Sequence, residues 1–236
     1  MGQKKLIRFE AIKSFSNVLQ YPVDMQGKWA NFFGNSNPLT LELACGKGEY
    51  AVGLARMFPQ RNFIGIDLKG NRIYIGAKKS LEEELKNVAF LRSQIDKLAN
   101  YFEKAEVSEI WITFPDPQLR KSKAKKRLTH PKFLRLYQQI MVPGGTIHLK
   151  TDSPDLYEFT LLVIEMYGLT LLESSDHVYE EASIKDELKI KTHYESLDIA
   201  QSNKVHYIRF TLPNEPLADF DEQLQERIKN YEEEIN

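Results

Sequence analysis

The chain has 236 residues, 32 Lys+Arg against 33 Asp+Glu, a formal net charge of −1 and a pI near 6.5. Its single cysteine, Cys45, excludes a disulfide framework and a multi-cysteine zinc cluster. No apolar run approaches the roughly 18–20 residues that span a bilayer, and MGQKKLIRFEAIKSF carries no apolar signal region, so a cytoplasmic protein is expected.

Strand-like and helix-like segments alternate. Leu39–Leu43 reads as a strand, followed by a glycine turn and an amphipathic stretch, Tyr50–Phe58. Asn62–Asp67 is a second strand, Asn71–Leu85 a helix and Val88–Leu91 a third strand. Glu109–Phe114 is a fourth strand, Phe133–Met141 a helix, Thr146–Lys150 a strand and Leu156–Tyr167 a helix. Leu169–Glu173 and Val205–Leu212 read as the last strands, and Phe220–Glu234 as a solvated closing helix. Such alternation predicts an α/β fold with a mostly parallel sheet covered on both faces, whose ligands bind beyond the carboxyl ends of the strands. Residues 1–38 are expected to form an N-terminal extension packing on the core, 39–212 the main domain, and 213–236 an acidic C-terminal helix.

Charge is unevenly spread. From Pro117 to Thr151 there are nine Lys/Arg and no Asp or Glu, whereas Glu215–Asn236 carries eight acids and two bases.

The first strand enters LELACGKGEY, where Gly46, Gly48 and Ala51 match the glycine fingerprint that lets a backbone approach a nucleotide. Asp67 closes the second strand about 20 residues on, the place of an acid that grips a ribose diol. Two ligands compete for such a loop, a dinucleotide and S-adenosylmethionine. Glu42 and Glu49 make its edge acidic, which repels a pyrophosphate and attracts a sulfonium or ammonium, so S-adenosylmethionine is favoured. After the third strand, Gln94 offers an amide to an adenine, with Asp96 as the alternative; both also suit capping of the next helix.

In EIWITFPDPQLRKSKAKKRL, Pro115 and Pro117 bracket Asp116 and fix the backbone that carries its carboxylate. Six bases follow in eight residues, Arg120–Arg127, and a cationic run beside a site points to nucleic-acid phosphates without choosing RNA over DNA. His148 and His193 have no metal-ligand spacing, so no metal is expected. Trp111 and Tyr137 read as packing residues rather than base platforms.

With Glu42, the glycine loop, Asp67, FPDP, the basic run, HLKTDSPDLYEF (His148–Phe159) and THYE (Thr192–Glu195) in place, the chain resembles the bacterial tRNA (guanine-N7-)-methyltransferase family from the first strand to about Phe210. The resemblance implies a Rossmann-like class I methyltransferase with seven strands, the last antiparallel, acting on a variable-loop guanine of tRNA. By position it implies that Glu42, Gly46, Gly48, Asp67, Gln94 and Asp116 line the S-adenosylmethionine pocket and that Asp116 is the active-site acid. Arg120, Asp152, Thr192, His193, Tyr194 and Glu195 would hold the guanine, and Ser122, Lys123, Ala124, Lys125, Lys126 and Arg127 would contact tRNA. Gln94 stands where the family usually has Asp, Arg120 where it has Lys, Gln118 where it has Trp, and Leu197 where it commonly has a base. Another methyltransferase substrate, or a catalytically silent RNA-binding relative, is the alternative.

Overall fold

The computed structural model describes residues 2–197 and 203–233. Its strands in chain order are β1 (Val18–Gln20), β2 (Leu39–Leu43), β3 (Asn62–Asp67), β4 (Val88–Arg92), β5 (Val107–Thr113), β6 (Met141–Thr151), β7 (Thr170–Ser175) and β8 (His206–Thr211). The helices are α1 (Gly2–Ala11), α2 (Trp29–Phe33), α3 (Glu49–Met57), α4 (Gly70–Glu82), α5 (Pro131–Ile140), α6 (Pro154–Met166) and α7 (Asp221–Glu233). Each element expected from the sequence is found within a few residues of its expected limits; Glu234, the expected end of the last helix, lies outside the described residues.

The strands form one sheet in the order β1-β4-β3-β2-β5-β6-β8-β7. All neighbours are parallel except those of β8, which runs antiparallel to both β6 and β7. The seven expected strands are therefore present, and an eighth is added. β1 sets Val18 opposite Phe90 on the outer edge of β4, and at three residues it is too short to leave a period in the sequence. From β2 the chain builds outward through β3 and β4, then crosses back to β5 on the other side. The crevice between β2 and β5 is thus the place where the order reverses.

The central strands are buried on both faces, β2 and β3 along their whole lengths, as expected of parallel strands covered by helices. One face is aliphatic, with Leu41, Leu43, Ile110, Ile112, Ile147 and Leu149 in a single cluster. The other carries Phe63, Phe90, Trp111 and Tyr207 against Tyr50 of α3. Alternation along the strands puts Glu42, Thr113, His148 and Lys150 on that second face, all buried. Trp111 and Tyr137 are interior, and His148 stacks on Trp111 at 4.0 Å while its Nδ1 meets the Tyr207 hydroxyl at 2.8 Å.

The helices that follow β5 and β6 begin with conventional caps. His130 Nδ1 accepts from Lys132 N ahead of α5, and Ser153 Oγ accepts from Leu156 N ahead of α6, each with Pro in the first turn. The acidic terminal helix α7 is docked rather than fully solvated. Leu224 is buried, and Asp221 receives both Arg135 guanidinium nitrogens at 2.9 and 3.0 Å and the Tyr167 hydroxyl at 2.6 Å.

Candidate active site

Four strand ends bound the crevice: β2 with residues 44–48, β3 with Asp67, β5 with residues 114–120, and β6 with Asp152. On the β2 side the chain turns sharply. Ala44, Gly46 and Gly48 have φ of 54°, 55° and 72°, in the left-handed region. A Cβ on Gly48 would lie 2.4 Å from Phe90 Cε1, so glycine is required there by both conformation and space.

Gly48 caps α3 without a side chain, and the missing acceptor comes from the strand beneath. Glu42 Oε2 accepts from Ala51 N at 2.8 Å, and Oε1 accepts from Thr113 Oγ1 at 3.1 Å. Burial pushes the Glu42 carboxyl up to about 8, with the charges of Glu49 and Asp67 adding to the rise. Asp67 ties the end of β3 to the same loop: Oδ2 accepts from Gly46 N at 3.0 Å and Oδ1 from Lys69 N at 2.7 Å. Each oxygen keeps further acceptor capacity for a hydroxyl pair. This donor set suits a cationic ligand with a ribose and would meet a pyrophosphate with carboxylates.

Gln94 is exposed at the start of a short turn, Ile95–Asn100, and makes no side-chain cap there; Asp96 pairs instead with Lys132. Of the two, Gln94 is the group available to a base at the end of β4.

Asp116 is exposed at the mouth, its Oδ1 accepting from Gln118 N at 3.0 Å in a tight turn. Phe114 and Gln118, on either side, have φ of 45° and 49°. The Pro115–Pro117 bracket therefore sits between two residues held in a costly backbone region, the kind of strain that recurs where a side chain must be aimed.

The basic run forms a turn of 3₁₀ helix, Lys121–Lys126, and only part of it faces out. Ser122, Lys123, Lys125 and Lys126 are exposed, as is Arg120. Ala124 and Arg127, expected among the tRNA contacts, are each 6% exposed. Arg127 donates to the carbonyls of Pro117, Gln118 and Leu119 at 3.2–3.5 Å and lies 4.5 Å from the Phe159 ring. Its charge shapes the Asp116 loop from inside. Lys121 is half-buried and donates to the Lys229 carbonyl of α7 at 3.0 Å, across the surface.

Asp152 is half-buried at the end of β6. Thr192–Glu195 bonds to itself: Glu195 N donates to Thr192 Oγ1 at 3.1 Å and Thr192 N donates to Glu195 Oε2 at 3.4 Å. This is a capping box over the turn Glu195–Leu197, a local motif whose T-x-x-E spacing is visible in the sequence. His193 is exposed, and the Tyr194 ring lies against Gly46, 3.4 Å from where a Cβ would be, with Arg72 5.3 Å from its centre. Sequence reasoning did not single out Thr113 or Tyr179, and Lys150 entered only as a member of the HLKTDSPDLYEF segment, with no role assigned to it. Among the described residues no group of His, Cys, Asp and Glu could hold a metal ion, and no helix is long and apolar enough to cross a membrane.

The sheet order, the glycine loop and the strand-end acids define a Rossmann-like class I methyltransferase. The solved structure of the 16S rRNA methyltransferase KamB superposes with a TM-score of 0.61 at 16% identity, over 84% of this chain and 99% of that one, which establishes the fold. A family model described as "Putative methyltransferase" matches residues 36–208. The tRNA (guanine-N(7)-)-methyltransferase of Bacteroides thetaiotaomicron is 45% identical over 224 residues, 91% of this chain and 88% of that protein. The protein of the same name from Christiangramia forsetii is 45% identical over 223 residues, 90% of this chain and 100% of its own length. The chain belongs to the tRNA (guanine-N(7)-)-methyltransferase family.

Proposed function

We propose that this protein transfers the methyl group of S-adenosylmethionine to N7 of a guanine in the variable loop of tRNA, in the cytoplasm. The observation that carries the reading is that Asp67 and Glu42 hold the glycine loop and the start of α3, with Asp116 just past the end of the neighbouring strand β5 and an exposed lysine turn beginning five residues after it. The identity of the acceptor is supported by family membership.

Bound in the crevice, S-adenosylmethionine supplies an electrophilic methyl on a cationic sulfonium. Glu42 and Asp67 give its positive groups and ribose their partners, and the Gln94 amide is available to its adenine. N7 of guanine presents an in-plane lone pair and carries no proton, so no residue has to act as a base. The burden falls on alignment and on stabilising positive charge as it moves from sulfur to the purine. Asp116 does this as a fixed carboxylate at the mouth, its loop held by Arg127 beneath it. Arg120, Lys123, Lys125 and Lys126 take the phosphates flanking the target base, and Asp152 with the Thr192–Glu195 segment selects guanine.

The test is incubation with methyl-labelled S-adenosylmethionine and unmodified tRNA transcripts, followed by nuclease digestion and nucleoside chromatography. Label in 7-methylguanosine is expected. Label in another nucleoside overturns the regiochemistry, and no label while both ligands bind identifies a silent RNA-binding relative.

A further inference from the structure

Between β7 and β8 the chain from Val178 to Leu197 contains only three short turns, Val178–Glu180, Asp186–Lys189 and Glu195–Leu197. Such a segment has no ladder of its own, yet it carries the residues expected to meet the guanine. Its carbonyls need donors from elsewhere. Two of them, those of Leu188 and Ile190, find their donor on one side chain. Lys150, fully buried near the end of β6, donates to the carbonyls of Leu188 at 2.8 Å and Ile190 at 3.0 Å and to Glu195 Oε2 at 3.1 Å. Those acceptors match the three protons of an ammonium. The Tyr179 oxygen lies at 3.1 Å as a fourth neighbour, and its hydroxyl donates to Glu195 Oε1.

Both Glu195 oxygens are thus engaged inside the protein, and its side chain is 7% exposed. The ammonium also touches the two other walls of the site, 5.4 Å from the ring of Tyr50 in α3 and 5.6 Å from that of Phe114 at the end of β5. The restrained segment in turn packs Ile190 against Gly53 and Tyr194 against Gly46.

We propose that Lys150 is a positioning residue for guanine recognition: its buried ammonium clamps Leu188, Ile190 and Glu195, and so holds His193 and Tyr194 over the glycine loop. Glu195 then acts as the anchor of this clamp rather than as a direct hydrogen-bond acceptor for the base. The inference rests on the methyl-transfer reading for what the segment recognises, and on geometry alone for the clamp. Leucine or methionine would fill the space at position 150, but neither donates a proton. The charge is needed because three acceptors from one segment converge on it in a site closed to water.

The clamp is read in two ways. Lys150→Met is compared with wild type for donor affinity, measured by titration, and for kcat and KM with tRNA. Donor affinity within about 2-fold of wild type is expected, with kcat/KM for tRNA lower by about 10- to 100-fold, the loss that follows a hydrogen bond to a charged group. Equal loss of donor and tRNA function, or none, overturns the proposal. Combining Lys150→Met with Glu195→Gln should cost little more than either alone; additive losses would show that the two act separately and also overturn it.

The second reading uses the wild-type protein and decides the matter if Lys150→Met does not fold. Burial lowers the Lys150 ammonium to about 8, against the opposing charge of Glu195 and with Lys191 nearby. The other titratable groups facing it, Tyr179 and Tyr50, are held neutral by burial. Amide exchange in 188–195, corrected for its intrinsic pH dependence, should therefore accelerate above pH 8 relative to β2 and β3. A constant ratio from pH 7 to 9.5 overturns the clamp. A wild-type protein that methylates no tRNA, but does show this exchange step, would refute the functional reading and leave the clamp standing.

Discussion

The two halves of the crevice are held in different ways. On the side proposed to bind the methyl donor, carboxylates at strand ends accept backbone N–H groups: Glu42 from Ala51, Asp67 from Gly46 and Lys69. On the side proposed to hold the acceptor base the arrangement is inverted, with two buried cations gathering backbone carbonyls, Arg127 those of 117–119 and Lys150 those of 188 and 190. The first kind of support comes with the fold, because the strands and the helix N-terminus are fixed by the core. The second depends on single long side chains reaching into segments with little regular structure. Donor binding should therefore tolerate changes on the acceptor side that cripple tRNA methylation.

The sharpest way to break that contrast is at the mouth, where both sides meet. Asp116→Asn should lower kcat by about 10²–10³-fold, the range for removal of one preorganised electrostatic group, with folding unchanged; wild-type turnover in single-turnover assays would remove Asp116 from the chemistry. A change in the donor half should act on stability instead. Gly48→Ala meets Phe90 at 2.4 Å from a left-handed position, and is expected to destabilise the protein by about 2 kcal/mol or more, measured by denaturant midpoint.

Glu42 gives the contrast a pH signature. Its folded carboxyl titrates at about 8 against an ordinary value near 4.5, because burial disfavours the charge. The folded state then holds a proton that the unfolded state has released. The stabilisation is complete below pH 4.5 and is lost as pH rises towards and through 8. A cationic donor favours the ionised form, so its affinity should rise over the same window. Glu42→Gln should flatten both dependences and weaken donor binding by about 10-fold at pH 8; unchanged slopes in the melting point against pH would contradict this.

The smallest effects separate the basic residues of the 3₁₀ turn from one another. Lys125→Ala and Lys126→Ala should each reduce the slope of log K for tRNA against log salt by about 1. Arg127→Met should weaken productive binding without changing that slope, since its guanidinium faces carbonyls and Phe159 rather than solvent. Equal slopes for all three variants would mean that burial does not distinguish them.

Much of the site was legible in the chain. The glycine turn, Asp67 one strand later and the proline-bracketed Asp116 all lie at strand ends, and strand ends are predictable from hydrophobic period. The basic run was legible as a run, but not in its facing: a turn with six charges in eight residues still has an inside, and the sequence does not mark Arg127 as the residue that fills it. The expected division of labour in THYE was likewise read from position, whereas Thr192 and Glu195 bond to each other and leave His193 and Tyr194 outermost. The eighth strand was missed because Val18–Gln20 borrows its hydrogen bonds from β4 and shows no period of its own.

By itself the sequence determined the alternation of strands and helices, and hence a sheet whose strand ends gather Glu42, Asp67, Asp116 and Asp152, since side-chain period and turn chemistry are local properties of the chain. Tertiary structure alone decided which charges are spent within the protein and which face solvent. Lys150 and Glu195 are 45 residues apart, and Arg127 and Phe159 are separated by a strand and a helix. Whether a cation is a clamp or a contact depends on which carbonyls the fold brings to it, and that is a property of packing rather than of spacing.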